Sequence, residues 1–331
     1  MAQATHPSTP DVTGATDVPN RETVMRSIAG ELVLPETLIT SQRGPVALLR
    51  LSRAGKRNAL DPEMIAGIET FFRYPPAGTR AIVLHGDGRH FCAGADLSAI
   101  ADTTAAAGMH HSRAWHRAFE QIEHGQVPVV AVLHGAVIGG GLELAAAAHI
   151  RVAERSAYYA LPEGTRGIFV GGGGSVRIPH LIGTTRMMDM MLTGRTYGAE
   201  EGAPLGFSQY VVADGDGLAK GIELAERIAA NAVLSNVAVV QALPRIARAD
   251  QETGLLMESL MAAVAVSDDE TKTRLHAFLE KRAPKVAPVG ASSGSDGAGQ
   301  PAAEASSGPW SARAISPGFA RWAECDQDGL A

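Results

Sequence analysis

Apolar positions along the chain fall into short continuous runs separated by longer stretches with helical spacing. VALLRLS (Val46 to Ser52), AIVLHG (Ala81 to Gly86) and PVVAVLHG (Pro128 to Gly135) are short and rich in β-branched residues, which predicts buried strands. Asp61-Pro62-Glu63 joins a capping side chain, a proline for the first helical position and an acid for the first turn. It predicts a helix start, and MIAGIETFF behind it keeps helical spacing. Glycines at 139 to 141 lead into LELAAAA and predict a second strand-to-helix switch. Further helices are predicted over 184–192, 217–230, 235–248 and 252–279, the last broken near Ser267-Asp268. Strands early and helices in the C-terminal third predict an α/β core with a helical appendage.

The ends of the chain differ in composition from the middle. Residues 1–30 are rich in Thr, Pro, Ala and Gly and read as a flexible arm, with Met25 as an alternative start. Residues 286–331 form a Gly/Ser/Ala/Pro-rich tail carrying Trp310, Phe319 and Trp322, read as a disordered appendage. Residues 31–285 contain neither linker nor repeat, which predicts one catalytic domain.

Of the 331 residues, 45% are hydrophobic and 19% charged, so a sizeable core can form. A formal net charge of −6 argues against nucleic acid or an anionic membrane as partner, though local Lys and Arg can still hold an anionic ligand. Two cysteines, Cys92 and Cys325, supply neither a disulfide framework nor a zinc spacing, and no metal is expected. The N-terminus reads as neither secretory signal nor transit peptide. The most apolar window, Val127 to Ala148, carries Pro128, His134 and Glu143, which lipid would penalise. The expectation is a soluble cytoplasmic protein.

Three segments could carry chemistry. Phe91-Cys92-Ala93-Gly94-Ala95-Asp96-Leu97 follows a strand, where small residues let backbone N–H groups approach an oxyanion. Taken alone it also reads as an ordinary turn ending in an Asp cap. Gly139 to Gly141 open a helix whose first N–H groups are unpaired, with Glu143 in a stretch otherwise apolar from Leu142 to Ala148. The glycines also suit tight strand–helix packing, and Glu143 also suits an exposed first turn. Leu161-Pro162-Glu163 places a carboxylate before GTRGIFVGGGGSVR, a shaped loop ahead of a helix. Surface turn chemistry accounts for that one equally well. Several familiar patterns fail. Gly171 to Gly174 lack the GK[ST] of a P-loop, the Gly139 run does not complete GxGxxG, and His110, His111 and His116 lack HExxH spacing.

Taken together, RNALDPEM, FCAGADL, HGAVIGGGLELA, ALPEGTRGIFVGGGGSVRIPHLIG, MLTGRTYGAEEGAPLGF and FLEKRAPK resemble the crotonase, or enoyl-CoA hydratase/isomerase, family from about Leu34 to Lys285. The resemblance implies a crotonase-like spiral of ββα turns with a helical C-terminal oligomerisation region, in a homotrimer or homohexamer. It implies a coenzyme A thioester as substrate and partner, with no other cofactor. Ala95 and Gly140 match the two backbone donors to the thioester carbonyl. Glu143 and Glu163 match both hydratase glutamates: the first holds and activates the water attacking Cβ, and the second delivers a proton to Cα. Gly171 matches a glycine whose N–H helps position that water. Ala93 and Asp96 belong to the same CAGAD motif, with substrate-binding places. Arg89, Lys56 and Lys281 stand where basic residues meet the CoA phosphates, Lys281 from a neighbouring subunit; solvated surface charge explains each equally well.

The implied reaction is syn addition of water to a 2-trans-enoyl-CoA, in fatty-acid or related acyl-CoA degradation. Isomerisation, hydration with cleavage of an aryl-propenoyl-CoA, and a non-catalytic CoA-binding or scaffold role stay open. Val170 departs from the proline common at its place. Residues 98–121 cover the acyl pocket in the family, and there Met109, Trp115 and Phe119 fit either a pocket wall or plain core.

Overall fold

The computed structural model describes residues 33–282, apart from 100 and 102. The N-terminal arm (1–30) and the C-terminal tail (286–331), with Cys325, Trp310, Phe319 and Trp322, lie outside the described residues.

Strands β1 (Leu38–Arg43) and β2 (Val46–Leu51) form an antiparallel hairpin, and α1 (Pro62–Arg73) crosses over to β3 (Ala81–Gly86), parallel to β2. The helix starts where its cap dictates: the Asp61 carboxylate accepts the Met64 N–H at 2.9 Å and Pro62 fills the first turn. Next come α2 (Ala105–Glu123), β4 (Val129–Leu133), β5 (Ala136–Ile138), α3 (Gly140–Ala147), β6 (Ile150–Glu154) and β7 (Tyr158–Ala160). Helices α4 (Gly174–Ile182) and α5 (Thr184–Thr193), strand β8 (Thr196–Gly198), helix α6 (Ala199–Gly202) and strand β9 (Tyr210–Val212) follow. Five more helices close the described chain: α7 (Gly217–Ala229), α8 (Val233–Gln241), α9 (Leu243–Ile246), α10 (Gln251–Ser267) and α11 (Asp269–Leu279).

The long sheet runs β1-β2-β3-β4-β6-β9, parallel beyond the first hairpin. A second layer is built from the short strand of each ββα turn. Leu60 bridges Ala95, Cys92 bridges Val137, and β5-β7-β8 continue the stack. Alternation along the long strands divides the core. Val46, Val83, Val130 and Val152 face α7, whereas Leu49, Leu84, Ala131 and Ala153 face α1, α2 and α3.

Two predicted elements are divided. The run 128–135 ends as a strand at Leu133, because Gly135 turns with φ 53° and sends the chain into the second layer as β5. A Cβ at Gly135 would sit 2.1 Å from the Arg89 carbonyl oxygen, so only glycine makes that turn. The helix predicted over 235–248 splits into α8 and α9 where Pro244 removes an N–H donor. The predicted break at Ser267-Asp268 is present, with Asp268 capping α11 through the Thr271 N–H at 3.0 Å.

Candidate active site

Where the short strands end, three chain segments converge on a cavity of about 370 Å³. The first is the segment after β3. The Leu60 N–H donates to the Gly94 carbonyl (2.8 Å) and the Asp96 N–H donates to Leu60 (2.8 Å). Ala95 between them therefore turns its own N–H the other way, and it has no protein acceptor among the described residues. Gly94 takes φ 97° and presses so close to β5 that a Cβ there would meet the Ile138 carbonyl oxygen at 2.8 Å.

The second segment is the start of α3. Gly139 takes φ 52° and gives its N–H to Ala160 (2.9 Å), which leaves the Gly140 N–H as the first free donor of the helix. The Gly140 Cα lies beside the Ala95 nitrogen, since a Cβ built on it would be 3.3 Å away. Two unspent N–H groups, one backed by a helix dipole, thus converge on one wall of the cavity.

Glu143, one turn further along α3, is 3% exposed. Its Oε1 accepts the N–H groups of Gly172 (2.8 Å) and Gly174 (2.7 Å). Burial holds the carboxyl above the ordinary carboxylate range, and the N–H donors of Gly174, Gly172 and Gly171 with the Arg177 charge offset only part of that rise. Glu163, 6% exposed, stands across from it in the turn after β7. Its Oε1 abuts Gly139, where a Cβ would be 2.7 Å away, and its Oε2 has no partner among the described residues. Burial, with Glu143 adding repulsion, raises the Glu163 carboxyl to about 7. Two carboxyl groups in one cavity are therefore poised differently, one in a nest of donors and one without.

Helix α2 forms a further wall. Thr104, Gly108, His111 and Trp115 face the cavity at helical spacing, and Trp115 packs against Gly140 and Gly172. Phe119 is fully buried and Met109 is 64% exposed; neither lines the cavity. Of the residues singled out in the sequence, Ala93, Ala95, Gly140, Glu143, Glu163 and Gly171 line it, as does Val170. Asp96 does not. Ser98 and the Arg53 guanidinium, 2.8 Å away, hold its carboxyl at about 2, so its side chain ties the turn together. Lys56, Arg89 and Lys281 are exposed and stand apart from the cavity lining.

Sequence reading passed over Asn58. It is fully buried with φ 55°, and its amide donates to the carbonyls of Asp87 (2.9 Å), His90 (2.7 Å) and Phe91 (3.1 Å). That grip fixes the segment leading to Ala95. The available signal was Arg57-Asn58 ahead of a helix cap, because Asn is among the few residues that tolerate a left-handed turn. Among the described residues no helix is long and apolar enough to cross a membrane.

Residues 41–287 match the family model of enoyl-CoA hydratase/isomerase. The chain belongs to the enoyl-CoA hydratase/isomerase, or crotonase, family. A solved structure from Rhodopseudomonas palustris CGA009, provisionally assigned as an enoyl-CoA hydratase, is 57% identical and superposes with a TM-score of 0.73. That match covers 77% of this chain and 98% of the other. The enoyl-CoA hydratase EchA19 of Mycobacterium tuberculosis H37Rv is 29% identical over 76% of this chain and 96% of its own. The enoyl-CoA isomerase/hydratase claC of Penicillium crustosum is 32% identical over 77% of this chain, which spans only 31% of that longer protein. The crotonase fold expected from the motifs is therefore the fold of this protein, and an acyl-CoA reaction is the chemistry of its family.

Proposed function

We propose that this crotonase is a hydro-lyase that adds water across the Cα–Cβ double bond of a 2-trans-enoyl-CoA, giving a 3-hydroxyacyl-CoA. The observation that carries the reading is the unlike setting of Glu143 and Glu163 in one cavity. Glu143, fed by two backbone N–H groups, is the carboxylate; it takes a proton from water as the oxygen attacks Cβ. The electron pair of the double bond moves toward the thioester, and the carbonyl oxygen gains negative charge. The N–H groups of Ala95 and Gly140 meet that charge, a contribution typically worth about 10²–10³ in rate per donor. Glu163, whose carboxyl is raised to about 7, is the acid that protonates Cα. Proton movement between the two carboxyls and solvent resets the site. Ala93 and Gly171 belong to the same wall and contact the substrate and its water. Water addition is redox-neutral and asks for nothing beyond the CoA carried by the substrate.

The C-terminal helices support the expected homotrimer or homohexamer, because α10 and α11 expose Leu255, Leu256, Leu260, Phe278 and Leu279. Assembly would bring Lys281 of one copy toward the CoA phosphates of another, and Lys56 and Arg89 are exposed cations open to the same phosphates.

The test is mass spectrometry of the protein incubated with short, long and aryl 2-enoyl-CoA thioesters. Gain of one water on any of them supports the reading. A shifted double bond without water gain would assign isomerisation. An aldehyde together with acetyl-CoA would assign hydration with cleavage. CoA binding with no conversion of any thioester would assign a scaffold role.

A further inference from the structure

Glu143 is held by a loop that is itself held, by Arg177 and by Ser112, the latter also on the cavity wall. The Gly171 carbonyl accepts the Ser112 hydroxyl at 2.7 Å. That carbonyl shares one rigid peptide plane with the Gly172 N–H, which donates to Glu143 at 2.8 Å from the opposite side. Gripping the carbonyl therefore aims the donor. The next peptide is gripped as well, since Arg177 Nη1 donates to the Gly172 carbonyl at 3.0 Å. Gly173 turns there with φ 94°, and a Cβ on it would lie 2.3 Å from Arg177 Nη1, so the guanidinium occupies the space that glycine leaves. The following N–H, on Gly174, is the second donor to Glu143 at 2.7 Å. Arg177 is anchored in turn by Glu123, with Nε to Oε2 at 2.6 Å. Ser112 and Glu123 both belong to α2, the helix whose Trp115 packs against Gly140.

We propose that Ser112 and Arg177, the latter braced by Glu123, are positioning residues for Glu143. They hold the Gly171–Gly174 peptides so that their N–H groups stay on the carboxylate, favour its charged form against burial and aim it at the attacking water. The proposal rests on the reading of Glu143 as the base. The charged and titratable groups around this unit include Glu163 and Arg166 at the cavity, His111, Arg113, His116, Glu120 and Glu123 on α2, His124 just after it, Arg177 on α4, and Arg248 beyond α9, which sits 3.4 Å from Glu123. Losing either grip loosens donors that favour the charged carboxylate, so the carboxyl titrates at higher pH.

Two variants test this: Ser112→Ala, which removes one hydroxyl, and the double Glu123→Gln/Arg177→Gln, which removes the brace without stranding a buried charge. Steady-state kinetics on a 2-enoyl-CoA are measured across pH, with folding checked by thermal melting. Isotope-edited infrared spectroscopy follows the Glu143 carboxyl directly. The expected result is a kcat lower by about 10- to 100-fold with KM nearly unchanged, and an acid limb displaced to higher pH. Ser112→Thr, which keeps the hydroxyl, recovers most of the rate. Unchanged kcat and acid limb in folded Ser112→Ala would overturn the proposal, whether or not the double variant folds. If the wild type shows no hydration, the reading of the reaction fails. The infrared titration of Glu143 then decides the positioning claim alone: a shift in the variants upholds it, and none overturns it.

Discussion

Glu143 and Glu163 are the same side chain in the same cavity, and their unlike surroundings are what the proposed hydration draws on. Glu143 sits among backbone donors, whereas the Oε2 of Glu163 meets no partner among the described residues. Replacing either by Gln keeps shape but removes the proton exchange. Turnover should fall by about 10²–10⁴ in each variant while the fold is retained, as read by steady-state kinetics and calorimetry. The raised Glu163 carboxyl also sets a pH dependence. Its native value of about 7 lies above the usual 4.5, so the folded state holds this proton more tightly than the unfolded chain does. Its stabilising contribution is complete below the unfolded value and is lost as pH rises toward and through about 7. Melting temperature should decline over that window in the wild type and decline less in Glu163→Gln. Turnover should fade on the alkaline side of the same value as the acid loses its proton.

Elements bring these residues together by turns that only certain side chains allow. Asn58 spans three carbonyls from a left-handed position, so Asn58→Ala strands buried acceptors and should destabilise by about 2–4 kcal/mol, seen as a lower midpoint in urea. Asp61→Ala removes a helix cap and one of the two carboxylates paired with Arg53, which keeps its 2.8 Å bridge to Asp96. It should cost about 1 kcal/mol in the same measurement and leave turnover alone. The Asp61 cap was legible because capping is local: the signal lies within four consecutive residues. The buried runs of β2 and β3 were legible for a similar reason, since strands covered on both faces read as unbroken apolar sequence. β1, β6, β7, β8 and β9 were not drawn from the sequence. β7, β8 and β9 have three residues each, β1 is an exposed edge, and β6 sets Arg151 and Glu154 among its apolar residues, which breaks the run. The roles of Ser112 and Arg177 were hidden for a different reason. Their partners are carbonyls of a glycine loop, distant from Ser112 in sequence and anonymous in side chain.

At the scale of the whole molecule, the motifs announced the family, and the cavity unites Ala93, Ala95, Gly140, Glu143, Glu163 and Gly171 from three of them. The folded chain explains why CAGAD, GGGLE and PEG must occur together: each is the end of a short strand in the second layer or the turn that follows one. The same scale shows apolar side chains on α10 and α11 with solvent on their outer faces. In the proposed homotrimer or homohexamer these faces are interfaces, so Leu256→Glu with Leu260→Glu should yield a monomer in light scattering; an oligomer mass unchanged by the two substitutions would remove those helices from the interface. The central claim, that Glu143 and Glu163 divide one addition of water, is tested most directly by isotopes. A 2-enoyl-CoA is incubated in D₂O enriched in ¹⁸O, and the product is analysed by mass spectrometry and NMR. The account predicts ¹⁸O on Cβ and one deuterium on Cα, with both labels lost together in Glu143→Gln and in Glu163→Gln. Deuterium in the acyl chain without ¹⁸O, or full labelling in both variants, would contradict it.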